Sequence, residues 1–117
     1  LNRNRTRDEW PIIPRWVMKV DKHEDEELYR RASPLDQVHA KAPPFLVVHG
    51  AADSVVPTAE AHQFVAALRD VSHNAVGYVE VPGANHAFDA LDSLRTHYVI
   101  SGVQRFLESI RVTSDRA

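Results

Sequence analysis

Cysteine is absent from the 117 residues of this chain. Disulfides, thiolate nucleophiles and cysteine-ligated zinc go with it, and the redox compartment is left open. Long apolar runs are missing too, so no segment is read as spanning a bilayer. The basic start, Leu1-Asn2-Arg3-Asn4-Arg5-Thr6-Arg7, has no apolar h-region behind it and is not read as a signal peptide. Nor is there a large excess of charge of one sign. A formal net charge of −2 gives no electrostatic reason to expect nucleic acid or an anionic membrane as partner. Repeats and low-complexity tracts are lacking. The chain opens on Leu rather than Met, from which a processed form or a piece of a longer protein is expected. A soluble chain is expected, with a cytoplasmic setting as the default and no compartment assigned.

What is present is the composition of one small domain, 44% apolar and 26% charged. The punctuation Lys41-Ala42-Pro43-Pro44 divides it into residues 1–40 and residues 41–117. In the first stretch Trp10, Pro11, Ile12, Ile13, Pro14, Trp16, Val17 and Met18 form an apolar cluster in which prolines discourage a helix. Charges from His23 to Arg31 then alternate at helical spacing, acid before base, and predict a short surface helix ending before Ser33-Pro34. This segment reads as irregular and short-helical, on the cap side of whatever follows.

The second stretch is more regular. Phe45-Leu46-Val47-Val48 reads as a strand buried on both faces, as in a parallel sheet. Thr58 to Val71, with apolar residues at 61, 64, 65 and 68, reads as an amphipathic helix with Thr58 as N-cap. Ala75 to Val81 is a second strand, ended by Pro82-Gly83. A last helix is expected from Leu94 to Ile110, its stripe made of Val99, Gly102, Val103, Phe106, Leu107 and Ile110. Strand, helix, strand, helix is α/β with a parallel sheet. Two strands alone make a poor sheet, and right-handed crossover predicts both helices on one face, so the sheet is expected to be incomplete.

In such folds chemistry gathers at the carboxyl ends of the strands. Asp53 follows the first strand in His49-Gly50-Ala51-Ala52-Asp53-Ser54-Val55-Val56-Pro57. His86 follows the second in Pro82-Gly83-Ala84-Asn85-His86-Ala87-Phe88. Parallel neighbours would bring them together. An aspartate accepting one ring N–H of a histidine fixes the tautomer, and the other nitrogen can then serve as general base.

The pattern H-G-x-x-D-x-x-V-P, then a helix, a strand and P-G-x-x-H, resembles the C-terminal end of α/β-hydrolases. The nearer resemblance is to esterases and lipases of the hormone-sensitive-lipase-like group, particularly its actinobacterial members. It is carried also by Tyr29-Arg30-Arg31-Ala32-Ser33-Pro34-Leu35 and Ala42-Pro43-Pro44-Phe45, and covers about Tyr29 to Ile110. The resemblance implies a serine carboxylesterase in which Asp53 orients His86, acting on a carboxylic ester without a cofactor. One departure is large. The serines, at 33, 54, 72, 93, 101, 109 and 114, include none in a G-x-S-x-G nucleophile elbow, and the H-G-G-G oxyanion segment is absent. The chain therefore supplies acid and base only, and is expected to be inactive alone. Its expected partner is the missing N-terminal part of the hydrolase, or a second copy joined through the sheet edge.

Bland readings stand beside these. Asp53 could cap a turn, and His86 could be a surface loop histidine. His49 reads as a packing residue beside Gly50, and Phe88 as core filling rather than a wall of the site. Seven histidines show no metal-ligand spacing, and the acidic run from His23 to Glu27 reads as a solvated face. Trp10 and Trp16 read as packing rather than nucleic-acid stacking. A non-catalytic remnant, binding a partner through its exposed strand edge, is the competing function.

Overall fold

Val48 is followed in the sequence by His49 and Gly50, and the first strand runs on through both. In the computed structural model, which describes residues 13–114, β1 covers Phe45–Gly50 and β2 covers Val76–Val81. The two pair in parallel, from Phe45 opposite Val76 to Gly50 opposite Val81. Pairing, not apolarity, sets the length of β1: its last two residues sit opposite Glu80 and Val81.

Alternation along the strands assigns their faces. Phe45, Val47 and His49 share one face with Val76, Tyr78 and Glu80. Helix α2, Thr58–Val71, lies there, with Phe64 edge-on to Phe45 at a centroid distance of 5.7 Å. Its inner stripe is Ala61, Val65 and Leu68, all buried. The apolar spacing at 61, 64, 65 and 68 therefore reads out correctly. The cap does not. Pro57 holds the N-cap position and Thr58 is the first helical residue, with no side-chain capping bond. Proline suits the start of a helix because its missing N–H has no helical partner to lose.

The last helix, α3, is Leu94–Ser114, four residues longer than its apolar stripe. It lies on the opposite face of the sheet, where it shares a groove with Leu46, Val48, Val79 and Val81. The expectation of both helices on one face is thus wrong. The crossover rule governs the helix between two parallel strands; α3 follows the last strand and is free to cover the other side. Ser93 starts it, its hydroxyl accepting from the Thr96 amide at 3.2 Å. Along the stripe Val99, Val103, Phe106 and Ile110 are half-buried, whereas Leu107 is exposed.

The chain divides into two compact units, Leu1–Gln37 and Val38–Ala117. In the first, helix α1 spans Glu26–Ala32 and stops at Ser33. Asp25 caps it through the Leu28 amide at 2.9 Å, and Arg30 closes a two-pronged pair with Glu27 at 2.8 and 2.7 Å. Ile13–Met18 forms a short π-type helix where prolines argued against any helix. Pro14 falls in its first turn, so no helical bond is lost. Trp16 and Val17 on it are exposed rather than packed; Trp10, Pro11 and Ile12 lie outside the described residues.

Candidate active site

The parallel register makes both strands end at the same edge, so the loops after Gly50 and Val81 leave side by side. They are then sewn together. The Ala51 amide donates to the Val81 carbonyl at 3.0 Å and the Ala52 amide to the Ala84 carbonyl at 2.9 Å. Ala84 is fully buried between them. Glycine at position 50 is what permits this approach. A Cβ there would lie 2.5 Å from the Ala84 oxygen and 3.0 Å from the Asn85 oxygen, closer than carbon and backbone can come.

Asp53 and His86 meet across the two loops. His86 Nδ1 lies 3.1 Å from Asp53 Oδ2. An ionised carboxylate only accepts, so Nδ1 carries the proton and Nε2 keeps its lone pair. The Asp53 side chain is 6% exposed and that of His86 48%, so the carboxylate is the inner member of the pair and the imidazole the outer one. Asp53 Oδ1 is used separately. It accepts from the amides of Val55 and Val56, each at 2.8 Å. The turn-capping role and the pairing with His86 are therefore not rivals, because different oxygens perform them.

Electrostatics follow from that division. Burial is the largest single influence on Asp53 and pushes its carboxyl up. The amides of Val56 and Val55 and the hydrogen bond and charge of His86 together outweigh it, holding the group below its ordinary value of 3.8. Asp53 is thus an anion at neutral pH.

His49 is more than packing. Its Nε2 lies 2.9 Å from the Val56 carbonyl, so that nitrogen donates and braces the far side of the acid loop. The same atom is 3.6 Å from Asp53 Oδ2, beyond hydrogen-bond reach and an ion pair only when His49 is protonated. Oδ2 is left to His86. Phe88 is half-buried in a short turn, Phe88–Ala90, that has no buried residue, so it does not fill the core. Directly after His86, Ala87 takes a left-handed conformation, φ 52°, and Gly83 ahead of it has φ 63°.

Two contributors escaped the sequence reading. Asn85 Oδ1 accepts from the Ser54 amide and the Ser54 hydroxyl, both at 3.0 Å, and from the His86 amide at 2.7 Å. Ser54, considered only as a candidate nucleophile and set aside, is its partner. The available signal was a side-chain amide next to the loop histidine. Among the described residues no group of three or more His, Asp or Glu side chains is arranged to hold a metal ion.

A parallel strand–helix–strand–helix unit with an Asp–His pair at the carboxyl ends of its strands is the C-terminal portion of an α/β-hydrolase. The chain belongs to the prolyl oligopeptidase family, which it matches over residues 2–110. Its curated relatives include the esterases LipC and LipQ of Mycobacterium tuberculosis. Identity to LipC is 46%, over 78% of this chain and 22% of that protein. Identity to LipQ is 41%, over 83% of this chain and 23% of that one. Among solved structures, propionate-bound Est2, a thermophilic esterase from Thermogutta terrifontis, superposes with a TM-score of 0.66 at 26% identity. That match covers 77% of this chain and 36% of Est2. The chain thus spans under a quarter of the length of the curated relatives it matches. No helix among the described residues is long and apolar enough to cross a membrane.

Proposed function

We propose that this chain is the acid-and-base portion of a serine carboxylic ester hydrolase. The observation that carries the reading is the 3.1 Å contact between Asp53 Oδ2 and His86 Nδ1 at the adjoining ends of two parallel strands. Esterase relatives at 46% and 41% identity support the choice of ester.

In this reading His86 Nε2 takes the proton of a serine hydroxyl as that oxygen attacks the ester carbonyl. Asp53 stabilises the imidazolium so formed. The proton passes to the departing alcohol as the carbon–oxygen bond breaks, leaving an acyl-serine. Water then attacks the acyl group, giving up its proton to Nε2, and the carboxylic acid and free serine result. The serine and the oxyanion donors come from outside these residues, from the N-terminal portion of the hydrolase. No cofactor enters any step.

The match to the prolyl oligopeptidase family favours a second reading, in which the same pair serves cleavage of a peptide bond. One set of assays separates the readings. The sequence encoded upstream of Leu1 is searched for G-x-S-x-G after a strand-like run, and the protein it encodes is tested on p-nitrophenyl esters and on peptide p-nitroanilides. Ester turnover that falls by about 10³-fold or more in both His86→Ala and Asp53→Asn supports the proposal. Preference for the anilide favours the peptidase. Absence of a nucleophile motif and of both activities indicates a non-catalytic remnant that binds a partner through its strand edge.

A further inference from the structure

We propose that Asn85 is a positioning residue for the Asp53–His86 pair, acting with Ser54 as a clamp between the two loops. The inference rests on the reading of that pair as acid and base, and adds to it what fixes their separation.

One atom does the clamping. Asn85 Oδ1 receives the amide of Ser54 at 3.0 Å, the hydroxyl of Ser54 at 3.0 Å and the amide of His86 at 2.7 Å. The first donor belongs to the residue directly after the acid, and the last to the base itself. Two backbone N–H groups converge on the atom, so it must be the oxygen of the side-chain amide; the nitrogen, a donor, could not sit there. The bond from His86 holds its main chain. The bonds from Ser54 hold the main chain beside Asp53, whose Oδ1 is already tied to Val55 and Val56. With both backbones fixed to one oxygen, the 3.1 Å contact between Oδ2 and Nδ1 has little freedom left.

The β-ladder cannot do this alone. Its last pair is Gly50 with Val81, three residues before the acid and five before the base. The Ala52–Ala84 bond carries the link one step further, at 2.9 Å. The clamp is the bond set between the loops that lies nearest to the pair.

The test reads the ring tautomer of His86 directly, by long-range proton–nitrogen correlation on the ¹⁵N-labelled chain with the ring neutral. In the unaltered chain Nδ1 should carry the proton. Asn85→Leu, similar in volume but without an acceptor, should raise the share of the Nε2–H form several-fold while the amide spectrum of β1 and β2 stays in place. Asn85→Asp keeps the oxygen and should keep the Nδ1–H form. Ser54→Ala removes one of three donors and should give a smaller rise. If Asn85→Leu does not fold, Ser54→Ala decides: an unchanged tautomer there overturns the clamp. A folded Asn85→Leu with the unaltered tautomer overturns it too, as does Asn85→Asp behaving like Asn85→Leu. Asp53→Asn separates the two levels. If it shifts the tautomer while Asn85→Leu and Ser54→Ala do not, the pair stands and the clamp falls. If Nδ1 is unprotonated in the unaltered chain, the pair itself falls.

Discussion

In the role proposed for it Asp53 has to be ionised and held still, and the amides of Val55 and Val56 serve both needs. Because its carboxyl lies below the ordinary 3.8 in the folded chain, Asp53 adds stability above that value. The contribution is lost as pH falls from about 3.8 through the lower folded value. Urea unfolding midpoints measured from pH 5 downward should therefore fall more steeply for the unaltered chain than for Asp53→Asn. Gly50→Ala tests the approach of the loops. With the Ala84 oxygen 2.5 Å from the new Cβ, and backbone rather than a flexible side chain in the way, the loops have to part. We expect a loss of about 1–3 kcal/mol in denaturant titration, with Asp53 and His86 drawn out of register. That Asp53 and His86 would meet was legible in the sequence, since parallel neighbouring strands end at one edge. Asn85 was not. Its bonds run to a residue 31 positions earlier, and only the folded register reveals which loop it faces.

At the level of elements, α2 and β2 are joined on their solvent side by a small polar cluster. Glu80 Oε2 accepts from the Tyr78 hydroxyl and pairs with His62 Nε2, both at 2.8 Å, and the His62 and Tyr78 rings meet edge-on at 5.1 Å. Burial first, and Glu80 second, push the Tyr78 hydroxyl from 10.0 up to about 12. Raising the pKa of an acid means that the fold prefers its protonated form. That preference supports stability fully below pH 10 and is lost as pH rises from 10 to about 12. An absorbance titration of phenolate should show a late component near pH 12 that disappears in Tyr78→Phe, whose alkaline unfolding should be correspondingly less steep. The period of α2 was plain in the sequence because it buries one stripe, Ala61, Val65 and Leu68, and the strands were plain as short apolar runs bounded by proline and glycine. Less plain were the elements whose limits depend on something other than burial. Strand β1 gained His49 and Gly50 through pairing, α3 outran its apolar stripe to Ser114, and Ile13–Met18 turned helical despite Pro14. The side taken by α3 was misjudged because no later strand constrained it.

For the molecule as a whole, the unsatisfied element is the groove between α3 and the sheet. It has a volume of about 560 Å³ and is walled by Leu46, Val48, Val79, Val99, Val103 and Phe106. Val79 on its floor is 43% exposed and Tyr98 on its rim 72%, values foreign to a finished core. An apolar trough of this kind marks a surface that something covers. Relatives more than four times as long as the matched region have material to cover it, since LipC matches over only 22% of its length. Isolated from any such cover, the chain should bind an apolar fluorescent dye and self-associate, measured by sedimentation velocity. Val79→Lys, which puts a charge on the groove floor without touching Asp53 or His86, should weaken both. The same chain should show no ester turnover, because self-association hides the groove but supplies no nucleophile. A monomer that neither binds dye nor responds to Val79→Lys would mean that α3 closes over the sheet in solution. The groove would then say nothing about a missing portion of the fold.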